Sequence, residues 1–173
     1  MKKPDTSENL AKQVYLAIGS NLGNKIKNIE LAKFELEKHE IKILKSSSNY
    51  KSDSWPDSSK PNYINIIIKV KTLLAPLELL RVCNIIEFKL GRVRLKKNAP
   101  RTCDIDIIDY DQIILNEKNK RLILPHPRMN KRNFVLLPLF EVDKSWKHPK
   151  SNINIVNLIN SLPVKDLRSI KQI

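Results

Sequence analysis

Apolar and polar residues alternate most regularly in two segments, residues 63–71 and 103–109. In the first segment, one face is entirely aliphatic: Ile64, Ile66, Ile68 and Val70. Its other face carries Tyr63, Asn65, Ile67 and Lys69. In the second segment, Ile105 and Ile107 share one face, and Asp104, Asp106 and Ile108 share the other. Because successive side chains of a strand point to opposite sides of a sheet, both segments are predicted to be β-strands.

Helical spacing of apolar residues predicts four helices. The first follows Asn24, which can cap it, and carries Ile26, Ile29, Ala32 and Leu36 along one side. The second begins at Pro76, ends before Gly91 and buries a stripe of Leu79, Val82, Cys83, Ile86 and Leu90. The third covers residues 129–142 and is bent or broken at Pro138, and a short last helix covers residues 154–162.

The remaining apolar runs predict shorter strands. They lie at residues 13–18 and 41–50, with a hairpin formed by residues 112–115 and 121–124. The turn-forming residues at 51–61 predict a loop. Strands and helices mix without strict alternation, which favours a single α+β domain. We place this domain at residues 13–162, between a flexible N-terminal tail at 1–12 and a C-terminal tail at 163–173.

Composition narrows the class of protein. The chain has 173 residues, of which 41% are hydrophobic and 29% charged, as in globular domains. No apolar run approaches the roughly 20 residues that cross a bilayer, and the N-terminal residues lack the apolar stretch of a secretory signal. Two cysteines, Cys83 and Cys103, are too few for a disulfide framework or a four-cysteine metal site. We therefore expect a soluble protein of a reducing compartment, the cytoplasm.

The net charge of +14 suits a polyanionic partner, although a general bias toward Lys, Ile and Asn explains the bulk charge equally well. The order of the charges is more informative. Residues 89–101 hold six basic residues and no acid, residues 104–111 hold four acids and no base, and residues 118–132 again hold six basic residues and no acid. Two cationic segments thus flank one carboxylate segment, whereas charge runs in general are more often solvated surface.

Asp104 and Asp106 are the strongest candidates for chemistry. As residues i and i+2 of a strand they project from the same face, where their charges repel unless a cation lies near them. Carboxylate oxygens suit Mg²⁺, which is commonly held by one or two carboxylates together with substrate phosphates. Two aspartates at a strand end are more often simply solvated. Directly after an arginine-rich loop, however, they indicate phosphoryl transfer.

Three other features have a functional and a structural interpretation. His126 lies between two prolines and can donate to a phosphate or simply stabilise a turn. Asn65, beside Tyr63, can read the donor–acceptor edge of a heterocycle or face water. Trp55, in a polar loop, can cover a ligand or anchor the loop.

The sequence around these residues resembles the hydroxymethyl-dihydropterin pyrophosphokinase family of folate biosynthesis. The most specific part is GRVR at 91–94 followed by PRTCDIDI at 100–107. The resemblance extends in order through AIGSNLG at 17–23, NYIN at 62–65, LPHPRM at 124–129 and RNF at 132–134. It covers about residues 14–149.

The resemblance implies a ferredoxin-like α+β fold with a mainly antiparallel sheet, and transfer of the β,γ-pyrophosphoryl group of ATP to the hydroxymethyl oxygen of the pterin. By the family's pattern, Asp104 and Asp106 hold two Mg²⁺ ions, and Arg92 and Arg101 grip phosphates from a loop after the second helix. The residues matching nucleotide positions are Asn84, Glu87, Arg94, Ile107, Arg121, His126 and Arg132. Those matching pterin positions are Ser52, Asp53, Trp55, Tyr63, Asn65 and Phe134. The implied partners are ATP, a pterin and neighbouring folate-pathway enzymes, with no nucleic acid and no membrane.

Two other classes are compatible with a basic α+β domain. An RNA-binding module of ferredoxin-like topology needs exposed aromatic residues on its sheet, and a chain with 6% aromatic residues and isoleucine-rich strands lacks that surface. A scaffold that kept the fold without the activity would not need the complete set of aspartates and arginines.

Overall fold

A computed structural model describes residues 10–54, 59–92, 100–116 and 121–173. The strands are β1 (Lys12–Ser20), β2 (Lys42–Ser46), β3 (Tyr50–Ser52), β4 (Tyr63–Thr72), β5 (Asp104–Tyr110), β6 (Leu115–Asn116), β7 (Ile123–Leu124) and β8 (Ile170–Gln172). The helices are α1 (Lys25–Lys38), α2 (Pro76–Lys89), α3 (Asn133–Val142), α4 (Ile155–Asn160) and α5 (Val164–Arg168), with a 3₁₀ turn at Met129–Lys131. None of the helices in the described part of the chain has the length and apolarity that spanning a bilayer requires.

Six strands form one sheet in the order β5-β1-β4-β3-β8, and β2 pairs with β4 next to β3. Every pair of strands within the described residues is antiparallel. β1 lies between β4 and β5, and β6 pairs with β7 in a separate ribbon, at the place where a hairpin was predicted. The α+β class and the mainly antiparallel sheet are therefore confirmed.

The sheet separates two hydrophobic cores. Ile64, Ile66, Ile68 and Val70 of β4 pack with α1 and α2 on one side, whereas Ile67 packs with α3 and α4 on the other. The two faces predicted for residues 63–71 are therefore correct. The helix ends also follow the prediction, because the Asn24 side chain accepts a hydrogen bond from Lys27 N and Gly91 adopts a positive φ of 83° after α2.

The predicted strand at residues 41–50 is wrong as a single element. It is divided into β2 and β3 around Ser47, whose backbone N donates to Ile67 O at 2.8 Å and whose hydroxyl accepts from Ile67 N at 3.0 Å. Ser48 is held from outside the sheet, since its backbone N donates to Glu141 Oε1 at 3.0 Å. The predicted loop therefore begins after Ser52, at the end of β3, rather than at residue 51.

The helix predicted at residues 129–142 is also divided, but at Arg132 instead of Pro138. Arg132 is extended, with φ −116° and ψ 101°, and separates the 3₁₀ turn from α3. α3 then continues through Pro138. The last predicted helix is confirmed as α4.

The two predicted tails differ in what they contain. Residues 1–9 of the N-terminal tail lie outside the described residues, and β1 already begins at Lys12. The C-terminal tail contains α5 and β8, and β8 pairs with β3. The sheet therefore includes residues beyond 162, because Ile170 is buried at its edge.

Candidate active site

Polar side chains meet on the face of the sheet that also carries Tyr15 and Ala17. The register places Gly19 of β1 opposite Asp104 of β5 on one side and Asn65 of β4 on the other. Directly opposed residues of antiparallel strands share a face, so the central strand contributes only a glycine between a carboxylate and an amide. Ala17 separates Asp106 from Ile67 in the same way. Ala17 and Gly19 thus form a floor of small residues, with the carboxylates of Asp104 and Asp106 on one side and the Asn65 amide on the other.

Arginines surround the two carboxylates. Arg92 Nη1 lies 2.6 Å from Asp104 Oδ1, and Arg101 Nη1 lies 3.1 Å from Asp104 Oδ2. Arg132 Nη1 lies 3.2 Å from Asp106 Oδ2, and His126 Nε2 lies 3.9 Å from the same oxygen. These four basic side chains come from three separate segments: the end of α2, the segment before β5 and the region between β7 and α3. Of the predicted basic residues, the structure thus brings these four together with the two aspartates.

Burial and charge set the protonation of this cluster. Burial raises the pKa of Asp104, and the neighbouring Asp106 raises it further, whereas Arg101 and Arg92 oppose both effects. Burial lowers the pKa of His126, against the opposing effect of Asp106 and with the support of Arg132 and Arg128. The imidazole is therefore neutral at pH 7. Its Nδ1 accepts from Arg128 N at 3.2 Å, so the ring proton is on Nε2, which points to Asp106.

The two aspartates meet the requirements of a magnesium site that is completed by substrate. Their side chains share one face, and oxygen is the ligand that Mg²⁺ prefers. Among the described residues no group of three or more His, Cys, Asp or Glu side chains could hold a metal ion. Mg²⁺ at nucleotide sites commonly takes its other ligands from phosphate oxygens and water.

Contacts with neighbouring residues hold the Asn65 amide in place on its side of the site. Asn65 is buried, and its Nδ2 donates to Ser52 Oγ at 2.9 Å. A Cβ atom on Gly19 would lie only 2.9 Å from Asn65 Oδ1, so the glycine makes room for the amide. The aromatic rings on this side contact the arginines, with Arg101 Nε 3.2 Å from the Tyr63 hydroxyl and Arg132 Cζ 5.4 Å from the centroid of Phe134.

The structure separates Asn84 from Glu87. Asn84 lines a cavity of about 290 Å³ together with Leu77, Leu80, Arg81 and Arg121. Glu87 is buried instead, where its Oε1 accepts from Ile105 N at 2.7 Å and forms an ion pair with Arg92. Asn84 and Arg121 therefore share one pocket, whereas Glu87 positions Arg92 and the start of β5.

The other predicted site residues have different surroundings. Ser52 is buried against Asn65, and Asp53 is exposed at the end of β3. The side chain of Ile107 is buried in the core beneath α1 and α2. Arg94 and Trp55 lie outside the described residues.

Sequence analysis missed Asn21, Gly19 and three of the cavity residues of α2: Leu77, Leu80 and Arg81. Asn21 is 1% exposed, and its Oδ1 accepts from Arg101 N at 2.8 Å. The motif AIGSNLG contains both Gly19 and Asn21, but their partners are distant in sequence. The strand register pairs Gly19 with Asn65, and hydrogen bonds beyond the end of β1 join Asn21 to Arg101.

Comparison with known proteins connects this geometry to one family. The family model described as 7,8-dihydro-6-hydroxymethylpterin-pyrophosphokinase (HPPK) matches residues 15–144. The "Folic acid synthesis protein fol1" of Pneumocystis carinii is 37% identical over 157 residues, which are 91% of this chain and 21% of that protein. The chain thus spans about a fifth of the length of this relative.

A second relative is close to the chain in length. The "2-amino-4-hydroxy-6-hydroxymethyldihydropteridine pyrophosphokinase" of Haemophilus influenzae is 38% identical over 140 residues, which are 80% of this chain and 86% of that protein. Among solved structures, the wild-type HPPK-DHPS of Plasmodium falciparum matches with a TM-score of 0.68 and 18% identity, over 90% of this chain and 42% of that one. This structural match supports the ferredoxin-like fold.

Proposed function

The chain belongs to the 7,8-dihydro-6-hydroxymethylpterin-pyrophosphokinase family, and we propose that it transfers the β,γ-pyrophosphoryl group of ATP to 6-hydroxymethyl-7,8-dihydropterin. The hydroxymethyl oxygen attacks the β-phosphorus, the bond from that phosphorus to the α,β-bridging oxygen breaks, and the hydroxyl proton leaves. The products are AMP and the pterin pyrophosphate. This reaction is a step of folate biosynthesis.

One observation carries the proposal. The carboxylates of Asp104 and Asp106, which pair with arginines, are separated from the buried Asn65 amide only by small residues of β1. Phosphoryl transfer depends on positioning and charge stabilisation more than on covalent chemistry of the protein. Asp104 and Asp106 offer a cation site, and Asn65 offers both hydrogen-bond donors and an acceptor. The floor formed by Ala17 and Gly19 leaves space for reactants between them.

At the phosphate side, Asp104 and Asp106 would hold two Mg²⁺ ions, which would offset charge on the bridging oxygens of the triphosphate. Arg92 and Arg101 now pair with Asp104, and Arg132 pairs with Asp106. When ATP binds, these guanidinium groups exchange a carboxylate partner for phosphate oxygens, which match their planar donor geometry. His126, neutral and protonated on Nε2, donates a hydrogen bond on the same side, and Arg94 belongs to this group by the family's pattern.

At the pterin side, Asn65 pairs with the polar edge of the ring, held in place by Ser52. Phe134 is half-buried beside Arg132 and stacks on the ring face. Tyr63 contacts Arg101, so it lies where the pterin and phosphate sides meet. By the family's pattern, Asp53 and Trp55 also belong to the pterin-binding residues.

At the nucleoside side, the cavity lined by α2 and Arg121 receives the base and ribose. Its apolar walls are Leu77 and Leu80, and its polar groups are Arg81, Asn84 and Arg121. Such a mixture of apolar walls and a few polar groups is typical of small-molecule sites. Ile107 contributes its backbone here, since its side chain is in the core, and Glu87 acts on the nucleotide through Arg92.

The protein works in the cytoplasm alongside other folate enzymes. Relatives support that association, since one is named a folic acid synthesis protein and another, from Lactococcus lactis, a bifunctional protein, FolKE. Cys83 and Cys103 are buried free thiols, which suits a reducing compartment. The catalytic unit is the domain predicted at residues 13–162 together with β8, which lies beyond these bounds and pairs with β3.

The test is formation of AMP from ATP, Mg²⁺ and 6-hydroxymethyl-7,8-dihydropterin. AMP and pterin pyrophosphate should appear in equal amounts, and 6-methyl-7,8-dihydropterin, which lacks the acceptor hydroxyl, should give neither. Release of ADP and phosphate at the same rate with either pterin would contradict the proposal. Asp104→Asn is the matched control, because it keeps the side-chain shape and removes the charge.

A further inference from the structure

Asn21 connects three segments of the site through one buried side chain. It follows β1, and its surroundings leave it 1% exposed. Its Oδ1 accepts from Arg101 N at 2.8 Å, and its own backbone N donates to Arg101 O at 3.1 Å. Its Nδ2 donates to Pro61 O at 3.3 Å, in the loop that leads to β4.

We propose that Asn21 is a positioning residue for the pyrophosphoryl transfer: it fixes the backbone of Arg101 relative to the strand that carries Asn65. This inference rests on the proposed function. Arg101 is 80 residues away in sequence, and Asn21 binds both its N–H and its C=O, as a neighbouring strand would. The guanidinium of Arg101 is then held between Asp104 and Tyr63.

The connection matters because Arg101 and the pterin residues belong to different segments. Tyr63 and Asn65 follow directly on Pro61, whose carbonyl binds Asn21. One amide therefore sets the distance between the phosphate-binding guanidinium and the strand that binds the pterin. In transfer reactions a displacement of about 1 Å can lower the rate by roughly a hundredfold.

The chain offers a matched control in the same turn. Lys25 Nζ donates to Asn62 O at 2.7 Å, so Lys25 also ties the start of α1 to the loop before β4. This bond does not involve Arg101. Lys25→Met keeps most of the aliphatic side chain and removes this tie alone, and it should leave the transfer rate within about twofold of the wild type.

Asn21→Ala should lower the single-turnover rate about 10- to 100-fold, while the affinity for a non-hydrolysable ATP analogue changes less than about threefold. Asn21→Ser, whose side chain is too short to reach Arg101 N, should behave in the same way and serves if the alanine variant does not fold. In an Arg101→Ala background, the Asn21 substitution should have no further effect on the rate, because its contribution passes through Arg101.

Hydrogen exchange provides a readout that does not depend on activity. The amide of Arg101 should exchange at least about fivefold faster in Asn21→Ala than in the wild type and in Lys25→Met, because the Oδ1 acceptor is lost. Unchanged exchange at Arg101, or equal losses of rate in Lys25→Met and Asn21→Ala, would overturn the inference. Failure of the proposed function would look different, since the wild-type protein would then form no AMP while the exchange difference persisted.

Discussion

Replacing Gly19 by alanine should weaken pterin binding without unfolding the protein. The new Cβ atom would lie 2.9 Å from Asn65 Oδ1, 3.9 Å from Asn65 Cγ and 3.7 Å from Tyr63 Cδ1. Only the first of these contacts is too short. The Asn65 amide must therefore move by about half an ångström or rotate to restore ordinary contact, because the backbone of β1 is held on both sides by β4 and β5.

The size of the effect follows from how Asn65 is held. It is buried and bonded through Nδ2 to Ser52 Oγ at 2.9 Å, so a displaced amide strains or loses that bond. A pterin edge that it no longer meets is left unpaired in a desolvated site, at a cost of about 1–3 kcal/mol. The expected loss of pterin affinity is therefore about 5- to 150-fold. Nucleotide affinity should not change, since the proposed nucleoside pocket is lined by α2 residues and Arg121 and includes neither Gly19 nor Asn65.

The assay is calorimetric titration of pterin into enzyme loaded with Mg²⁺ and a non-hydrolysable ATP analogue. In an Asn65→Ala background the Gly19→Ala substitution should weaken binding less than about threefold, because the atom it collides with is gone. Gly23→Ala is the matched control. Gly23 has φ 66° and no atom within 4 Å of a Cβ, so that substitution should lower stability and leave pterin affinity intact. Equal pterin affinity in Gly19→Ala and wild type would refute the reasoning.

Three more predictions concern single charged groups. Asp106→Asn should abolish most turnover at saturating Mg²⁺ and change the thermal midpoint little, since it removes a like charge beside Asp104 together with the charged partner of Arg132; substantial activity would exclude Asp106 as a ligand. Arg92→Ala should reduce the single-turnover rate more than ATP affinity, and equal losses would indicate uniform binding instead. Burial alone would raise the pKa of Asp143, but hydrogen bonds from Tyr15 and Ser145 and the Lys69 contact bring it down from 3.8 to about 2. Asp143→Asn should therefore lower the free energy of unfolding at pH 6 by up to about 2 kcal/mol, and by less because the side chain is 19% exposed. The difference from the wild type should disappear as the pH falls from 4 to 2. A difference in urea midpoints that stays constant with pH would contradict this prediction.

Local periodicity was sufficient to predict which face of each site strand carries chemistry. The two-residue period alone assigns Asn65 to the face opposite Ile64 and Ile66, and Asp104 to the face opposite Ile105. The structure confirms both assignments. Periodicity carries no information on register, however. That Gly19 separates Asn65 from Asp104 depends on pairings of β1 with strands that lie 46 and 85 residues further along, as the register Gly19↔Asn65 and Gly19↔Asp104 shows.

Breaks in elements were harder to predict, because side chains from distant segments cause them. Between β2 and β3, the Ser47 hydroxyl accepts the N–H of Ile67, and Glu141 of α3 accepts the N–H of Ser48. β8 joins the sheet at β3, although its three residues carry too short a pattern to indicate a strand. In each case the deciding contact is tertiary, and it overrides the local preference of an apolar run.

Glu87 shows how two neighbouring positions on one helix can have different surroundings. It matched a nucleotide position together with Asn84, three residues earlier on α2, yet α2 packs on β5 so that only Asn84 faces the cavity. The buried Glu87 carboxylate pairs with Arg92 and accepts a hydrogen bond from the backbone N of Ile105. Ile105 lies between Asp104 and Asp106 in the sequence. In the proposed reaction, the Glu87 carboxylate would stay beside Arg92 when that guanidinium exchanges Asp104 for a phosphate, so the arginine would not become an unpaired buried charge. The same contact ties the start of β5 to α2, and it therefore couples the placement of Asp104 and Asp106 to the placement of Arg92.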